Sequence, residues 1–339
     1  FACFMFALIM VLMIGVFLSA KIKQAEAGQV VTLTLVSAWT SPDLGNVKLE
    51  EFVSRINKEA KIVRIDYKGG AEVVPPLEGI KYVSKGMIDL WHTTPAYYAG
   101  KIPSAMAAYN VVASPGALRK SGFWDLFDKI HREKAGVTAL GQLWRGDPFG
   151  LFLKKPINRA DLRGLKIRSL PMYEPFLRQL GASTVVLPMG EVYTALQRGI
   201  VDGFCYPYGP GFIEKKWYEV VHYVVHPVIP YQTCAPLLAN AKRWDALPQE
   251  AKKEIMNIIL EMEPQVYEWY RTEAVKSIKK AIKKGLIKPI ELPPKEAQKF
   301  VKVAKEAMWA NIIKRSPEYG PQLKKLAIRA EKLEIKQTK

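Results

Sequence analysis

The sequence predicts an α/β protein of two similar lobes, each a mixed sheet flanked by helices, with one long helix crossing both. Three observations carry this. The stretch after Gly28 alternates strand and helix patterns in a β-α-β-α-β order, which calls for a parallel or mixed sheet with helices on its faces. The same grammar returns after Arg159, and Gly86-Met87-Ile88-Asp89 is echoed by Gly199-Ile200-Val201-Asp202. In both copies a glycine closes a helix in the left-handed conformation, two apolar residues enter a sheet and an aspartate follows. Finally, Leu247 to Leu286 reads as helix, with Ile255, Ile258, Ile259, Met262, Val266, Trp269 and Tyr270 on its apolar side.

The elements follow in order. "QVVTLTLVSAW" is rich in β-branched residues and reads as the first strand. "SPDLGNVKLEEFVSRINKEA" reads as a helix with Ser41 as N-cap, Pro42 at the first helical position and an apolar stripe through Val47, Phe52, Val53 and Ile56. "KIVRIDYKGG" is a strand closing on a glycine turn, and "VVPPLEGIKYVSKGMIDLWHTTP" is a helix, its terminating Gly86 and a short strand from Met87. In the second half "RADLRGLKIRSLP" is a loop and strand, "MYEPFLRQLGAS" a helix and "TVVLPM" a strand. "GEVYTALQRGIVDGFCYP" then gives a helix and a strand. Pro264 is expected to kink or split the long helix, and two further helical stretches complete the C-terminus.

The 339 residues suffice for two domains, and 49% hydrophobic with 24% charged residues is an ordinary globular balance. "FMFALIMVLMIGVFLSA" carries no charge and is followed by Ala25-Glu26-Ala27, a small-residue cleavage site. Residues 1–27 are therefore expected to be a secretory signal peptide whose recorded start, a Phe without a basic n-region, is truncated. Retention as a membrane anchor is the alternative. The mature chain is expected outside the cytoplasm, where Cys205 and Cys234 are permitted but not required to pair. The net charge of +18 is spread along the chain, densest in "KSIKKAIKKGLIK", with no zinc-finger spacing or RNA-binding motif beside it. No nucleic-acid partner is expected, and the lysines read as solvated helix faces.

Catalytic patterns are lacking. There is no nucleophile elbow, dinucleotide fingerprint, P-loop or HExxH. His222 and His226 stand four apart in the β-branched "VVHYVVHPVIP", where a shared strand face explains the spacing better than a metal. No metal, cofactor or catalytic residue is expected, and the chain is not read as an enzyme. What remains is binding. Leu165-Lys166-Ile167-Arg168 alternates apolar and charged residues, the period of a half-buried strand, and ends on an arginine shortly before Pro171. A guanidinium there suits a carboxylate, because its planar fork donates two parallel hydrogen bonds. A solvated strand tip is the alternative.

"DLRGLKIRSLPMYEPFLRQLGASTVVLPMGEVYTALQRGIVDG", Asp161 to Gly203, resembles the central signature of the DctP-type solute-binding proteins of TRAP transporters. "KGMIDLWHTTPAYYAGKIP" upstream and "AKRWDALPQEAKKEI" downstream extend the resemblance over essentially the whole mature chain. It implies a two-lobed periplasmic-binding-protein-like fold, with 28–145 plus 236–275 as one lobe, 146–235 plus 276–325 as the other and 326–339 as a C-terminal tail. It implies that Arg168 clamps a ligand carboxylate in the interlobe cleft, and that the protein, a monomer, hands its organic acid to a small and a large membrane subunit. The remaining contacts it suggests are Trp39, Gly70, Thr94, Tyr97, Arg145, Phe149, Met189, Tyr206 and Tyr208, with Trp144 as a further aromatic. In the branch that binds 2-oxo acids through a metal, an acidic ligand stands where this chain has Cys205, so no metal is expected. Aromatic walls with one cation imply a monocarboxylate with an apolar body. A sensor or adaptor on the same fold is the alternative, and an extracytoplasmic enzyme a more distant one.

Overall fold

The computed structural model describes residues 30–187 and 189–337. The expected leader, with its cleavage site, lies outside the described residues. Ten strands form one sheet: β1 (Val31–Ser37), β2 (Val63–Tyr67), β3 (Leu90–His92), β4 (Val137–Leu153), β5 (Lys166–Ser169), β6 (Ser183–Val186), β7 (Gly203–Pro207), β8 (Tyr223–His226), β9 (Ile229–Asn240) and β10 (Lys288–Glu291). Their order is β2-β1-β3-β9-β4-β7-β5-β6, with β8 on β4 and β10 on β8. The helices are α1 (Val47–Glu59), α2 (Gly79–Ser84), α3 (Pro115–Ser121), α4 (Phe123–Ala135), α5 (Glu174–Gln179), α6 (Val192–Gln197), α7 (Pro210–Glu214), α8 (Ala241–Asp245), α9 (Gln249–Lys283), α10 (Pro294–Arg315) and α11 (Gly320–Gln337). None of the described helices is long and apolar enough to cross a membrane.

The two halves are joined by the sheet itself. β4 and β9, 17 and 12 residues long, pair antiparallel and run through both halves. At one end they carry β3, β1 and β2, and at the other β7, β5 and β6. Their register shifts four times, between Ala139 and Phe149. Bulges of this kind bend and re-aim a strand, and here they sit where the two halves meet.

The long helix α9 spans both halves and packs on β4, α1 and α7. It runs unbroken through Pro264, so the expected split does not occur. Burial decides this: Ile255, Ile259, Met262, Val266 and Tyr270 are all buried. Gly141 lets the helix lie against the strand, since a Cβ there would stand 2.2 Å from Ile259 Cγ2. Glu263 is also buried; it accepts a bidentate pair from Arg119 at 2.8 Å and the Gln142 amide at 3.0 Å, which satisfies a bulged part of β4.

Two local expectations need correction. Ser41 and Pro42 do not open α1, which begins at Val47. Asp43 caps a 3-10 turn over Leu44–Asn46 instead, accepting the Gly45 amide at 3.0 Å. The Ser41 hydroxyl bonds Glu50 at 2.6 Å. The chain is drawn inward here because buried Asn46 holds the Ser37 hydroxyl at 2.5 Å and the Trp39 carbonyl at 2.7 Å. Nor are the residues from 326 a tail. Through Gln337 they complete α11, which packs on α3, with Glu331 accepting the Val112 amide and Glu334 the Ser114 amide and hydroxyl.

Candidate functional site

Arg168 stands near the end of β5, between the parallel neighbours β6 and β7. Its residue is only 3% exposed, so the solvated alternative fails. Nε and Nη2 donate to the single carbonyl of Leu187 at 3.1 and 2.9 Å, and Nη1 lies 3.5 Å from the Cys205 carbonyl. These bonds use one N–H on each of Nε, Nη1 and Nη2, so Nη1 and Nη2 each keep a donor for a further acceptor. No carboxylate of the described residues pairs with it. Burial pulls its pKa down, opposed by the neighbouring hydroxyls of Tyr173 and Tyr97.

Arg168 lines a small cavity of about 60 Å³. Of the expected contacts, Trp39, Thr94, Tyr97, Phe149, Met189 and Tyr206 join Arg168 in its lining, as does Trp144. The aromatic rings pack edge to face: Trp39 on Trp144 at 5.3 Å, and Phe149 between Tyr109 and Tyr173 at 6.0 and 5.4 Å. Burial pushes the Tyr173 and Tyr206 hydroxyls well up, so both stay protonated. Thr94 shares a short hydrogen bond with Tyr109 and lies 3.1 Å from the Cys234 carbonyl. A wider outer cleft of about 770 Å³ adjoins through Trp39, Tyr97, Arg168, Leu170 and Met189.

Three expected contacts lie elsewhere. Arg145 is fully buried and spends its guanidinium on the carbonyls of Ala113, Ala108 and Val111 at 2.8, 3.1 and 2.6 Å. It ties the segment after the 3-10 helix Pro103–Asn110 to β4 and does not line the cavity. Tyr208 turns into an apolar cluster with Phe152, Phe212 and Val224, and its hydroxyl meets His226 Nε2 at 3.0 Å; Glu291 holds the other ring nitrogen at 2.8 Å. Gly70 lies beneath Trp39 rather than in the wall, and a Cβ there would stand 2.0 Å from the Trp39 carbonyl oxygen.

Several wall residues escaped the sequence reading, chiefly Tyr109, Tyr173, Met172 and Thr233. Tyr109 sits in an irregular 3-10 run, and Tyr173 precedes a helix where an aromatic reads as core. Cys205 and Cys234 both line the cavity as free, buried thiols. Burial pushes Cys234 up to about 12 and Cys205 higher still. A neutral thiol at Cys205 is a poor donor for a hard, oxygen-coordinated cation, so these residues do not fit the metal of the 2-oxo-acid branch. Among the described residues no group of three or more His, Cys, Asp or Glu side chains could hold an ion.

Residues 45–315 match the model of DctP, described as bacterial extracellular solute-binding protein, family 7. A monocarboxylate 2-oxoacid-binding periplasmic protein of Nostoc is 30% identical over 194 residues, 53% of this chain and 51% of the relative. The chain thus spans about half the length of that relative. A solute-binding protein of Albidiferax ferrireducens is 21% identical over 77% of this chain and 79% of its own. A TRAP periplasmic solute-binding protein of Desulfovibrio salexigens, solved with orotic acid, superposes with a TM-score of 0.76 at 22% identity, covering 88% of this chain and 98% of that one. One from Pseudoalteromonas atlantica, solved with sodium and pyruvate, does so with a TM-score of 0.76 at 19% identity over 90% and 95%. These likenesses show the two-lobed binding-protein fold.

Proposed function

The chain belongs to the bacterial extracellular solute-binding proteins of family 7, and from that membership we propose that it captures an organic monocarboxylate outside the cytoplasm and delivers it to the small and large membrane subunits of a TRAP transporter. It works as a monomer in this reading and carries out no chemistry on its ligand. The observation that carries the reading is the buried Arg168 guanidinium, which lines the cavity with backbone carbonyls and no carboxylate as its hydrogen-bond partners. A carboxylate beside it would take up the guanidinium's remaining N–H donors, and exclusion of water strengthens the ion pair.

The walls select the rest of the ligand. Trp39, Trp144, Phe149 and Tyr206 offer apolar faces, and Arg168 supplies the cavity's cation. Lys215, which borders the outer cleft, is paired with Asp43 at 3.2 Å. A dicarboxylate would leave its second charge without a partner, so the reading favours a monocarboxylate with an apolar or aromatic body. The name of the Nostoc relative agrees in ligand class.

A thermal-shift screen of the protein against carboxylic acids, repeated with Arg168→Ala, tests this. A ligand at a hundredfold excess over Kd stabilises the native state by about 2.7 kcal/mol. Aromatic and branched monocarboxylates are expected to raise Tm in the wild type and not in the variant. A shift that survives in Arg168→Ala, or a preference for dicarboxylates, overturns the assignment.

A further inference from the structure

Asp147 lies in β4 directly behind the cavity wall, and its residue is 1% exposed. Oδ1 accepts the Trp144 indole N–H at 2.8 Å and the Thr233 hydroxyl, and both donors line the cavity. Oδ2 is buried with no hydrogen-bond partner. An ionised carboxylate in that position carries an unsolvated, unpaired oxygen, which is costly in a protein interior. The titratable side chains that feel its charge are Tyr206 on β7 and Tyr270 on α9, both kept protonated by burial. From β9 it meets the Thr233 hydroxyl, and Arg145 on its own strand is occupied by backbone carbonyls. Nothing else charged among the described residues is bonded to it.

We propose that Asp147 is a proton-linked positioning residue of the cavity: it fixes Trp144 and Thr233 in the wall, and capture of an anionic ligand draws a proton onto its unpartnered oxygen. This rests on the carboxylate reading above. An anion brought into a low-dielectric pocket penalises any second negative charge nearby. The cheapest relief is uptake of one proton from solvent by Oδ2, which converts the carboxylate to the acid and leaves both hydrogen bonds to Oδ1 intact. Burial already raises Asp147 to about 7, so the step falls within the neutral range. The complex then holds more protons than the free protein, and binding weakens as pH rises, by at most tenfold per pH unit for one proton.

Isothermal titration with phenylpyruvate tests this at pH 6, 7 and 8, with pH 7 run in two buffers of different ionisation heat. The expected result is fractional proton uptake per ligand and a several-fold weakening from pH 6 to 8. Asp147→Asn should abolish the proton uptake and flatten the profile. Thr233→Val keeps the carboxyl but removes a bond that holds its pKa down, so uptake should persist with its pH range moved upward, which guards against an Asn variant that fails to fold. Binding without proton exchange, or an unchanged proton count in Asp147→Asn, overturns the linkage while leaving the clamp standing. Binding indifferent to Arg168→Ala but with the Asp147 proton count intact overturns the clamp and keeps the linkage. No binding of phenylpyruvate by the wild type overturns both.

Discussion

Lys215 Nζ meets Asp43 Oδ2 at 3.2 Å, joining the turn after α7 to the loop after β1 across the outer cleft. The carboxylate is nearly buried, and its other oxygen caps the turn at Gly45. The pair therefore links the two walls of the cleft only while they are drawn together. Removing the ammonium should favour the open form. Lys215→Met is expected to weaken ligand affinity roughly two- to fivefold, the scale of about 0.5–1 kcal/mol for a partly exposed pair. The loss should shrink in about 0.5 M salt, where such charges are screened. Titration of wild type and variant at two ionic strengths checks both.

The two buried arginines should separate cleanly. Arg145→Leu strips the partners from the carbonyls of Ala108, Val111 and Ala113. Unpaired buried acceptors cost about 1–3 kcal/mol each before relaxation, so a stability loss on the order of 3 kcal/mol is expected in urea unfolding. Arg168→Ala should do the reverse, with a small change in unfolding midpoint and the loss of ligand binding.

These residues also mark how far the sequence could be read. The place of Arg168 at the cavity, though not its proposed part in binding, was legible because strand alternation and the surrounding signature both single it out. Arg145 was not, since an arginine beside a cleft strand has no local mark that tells a ligand clamp from a backbone tie. The alternating elements were visible wherever a period of 2 or 3.6 ran long enough. The union of the two halves through β4 and β9 was not, because 17 strand residues with four register shifts carry no clean period. Tyr109 and Tyr173 reach the cavity through tertiary folding of segments whose own pattern says core.

Two histidines should set the acid limb of stability. His131 is buried between the Tyr98 hydroxyl at 3.0 Å and the Phe127 carbonyl at 2.7 Å, and burial lowers its pKa to about 4. His92, buried against Trp39, is lowered to about 3. Both stay neutral in the fold but charge near 6.5 when unfolded. Their contribution is therefore full above about 6.5 and is lost as pH falls toward 4, by up to about 1.4 kcal/mol per unit for each. Asp147 runs the other way: its raised pKa favours the fold below about 4, and that benefit fades as pH rises to about 7. Urea unfolding between pH 7 and 4.5 should show a steep loss in the wild type and a shallower one in His131→Gln. Equal slopes would mean that His131 is already charged in the fold.

Gly70 offers a test of the cavity wall from behind. Its φ lies outside the left-handed region, so an alanine there is not strained by its own backbone. The obstacle is space. The added Cβ would lie 2.0 Å from the Trp39 oxygen, 2.5 Å from its carbonyl carbon and 2.8 Å from Thr40 Cα, all backbone atoms that cannot rotate away. The neighbourhood is already fastened: the Gly70 amide donates to Glu72 at 2.6 Å, Glu72 accepts the Thr40 hydroxyl at 2.6 Å, and Asn46 holds the Trp39 carbonyl. Trp39 must therefore move, and with it the indole that packs on Trp144, Tyr97 and His92. Gly70→Ala is expected to cost about 1–3 kcal/mol, as overpacking does, and to weaken ligand binding by tenfold or more. Gly116→Ala is the matched control. It places a methyl in α3 with nothing within 4 Å, so it should be neutral or stabilising by up to about 1 kcal/mol and leave affinity alone. If Gly70→Ala instead binds ligand as the wild type does, the indole of Trp39 is not part of the ligand's wall.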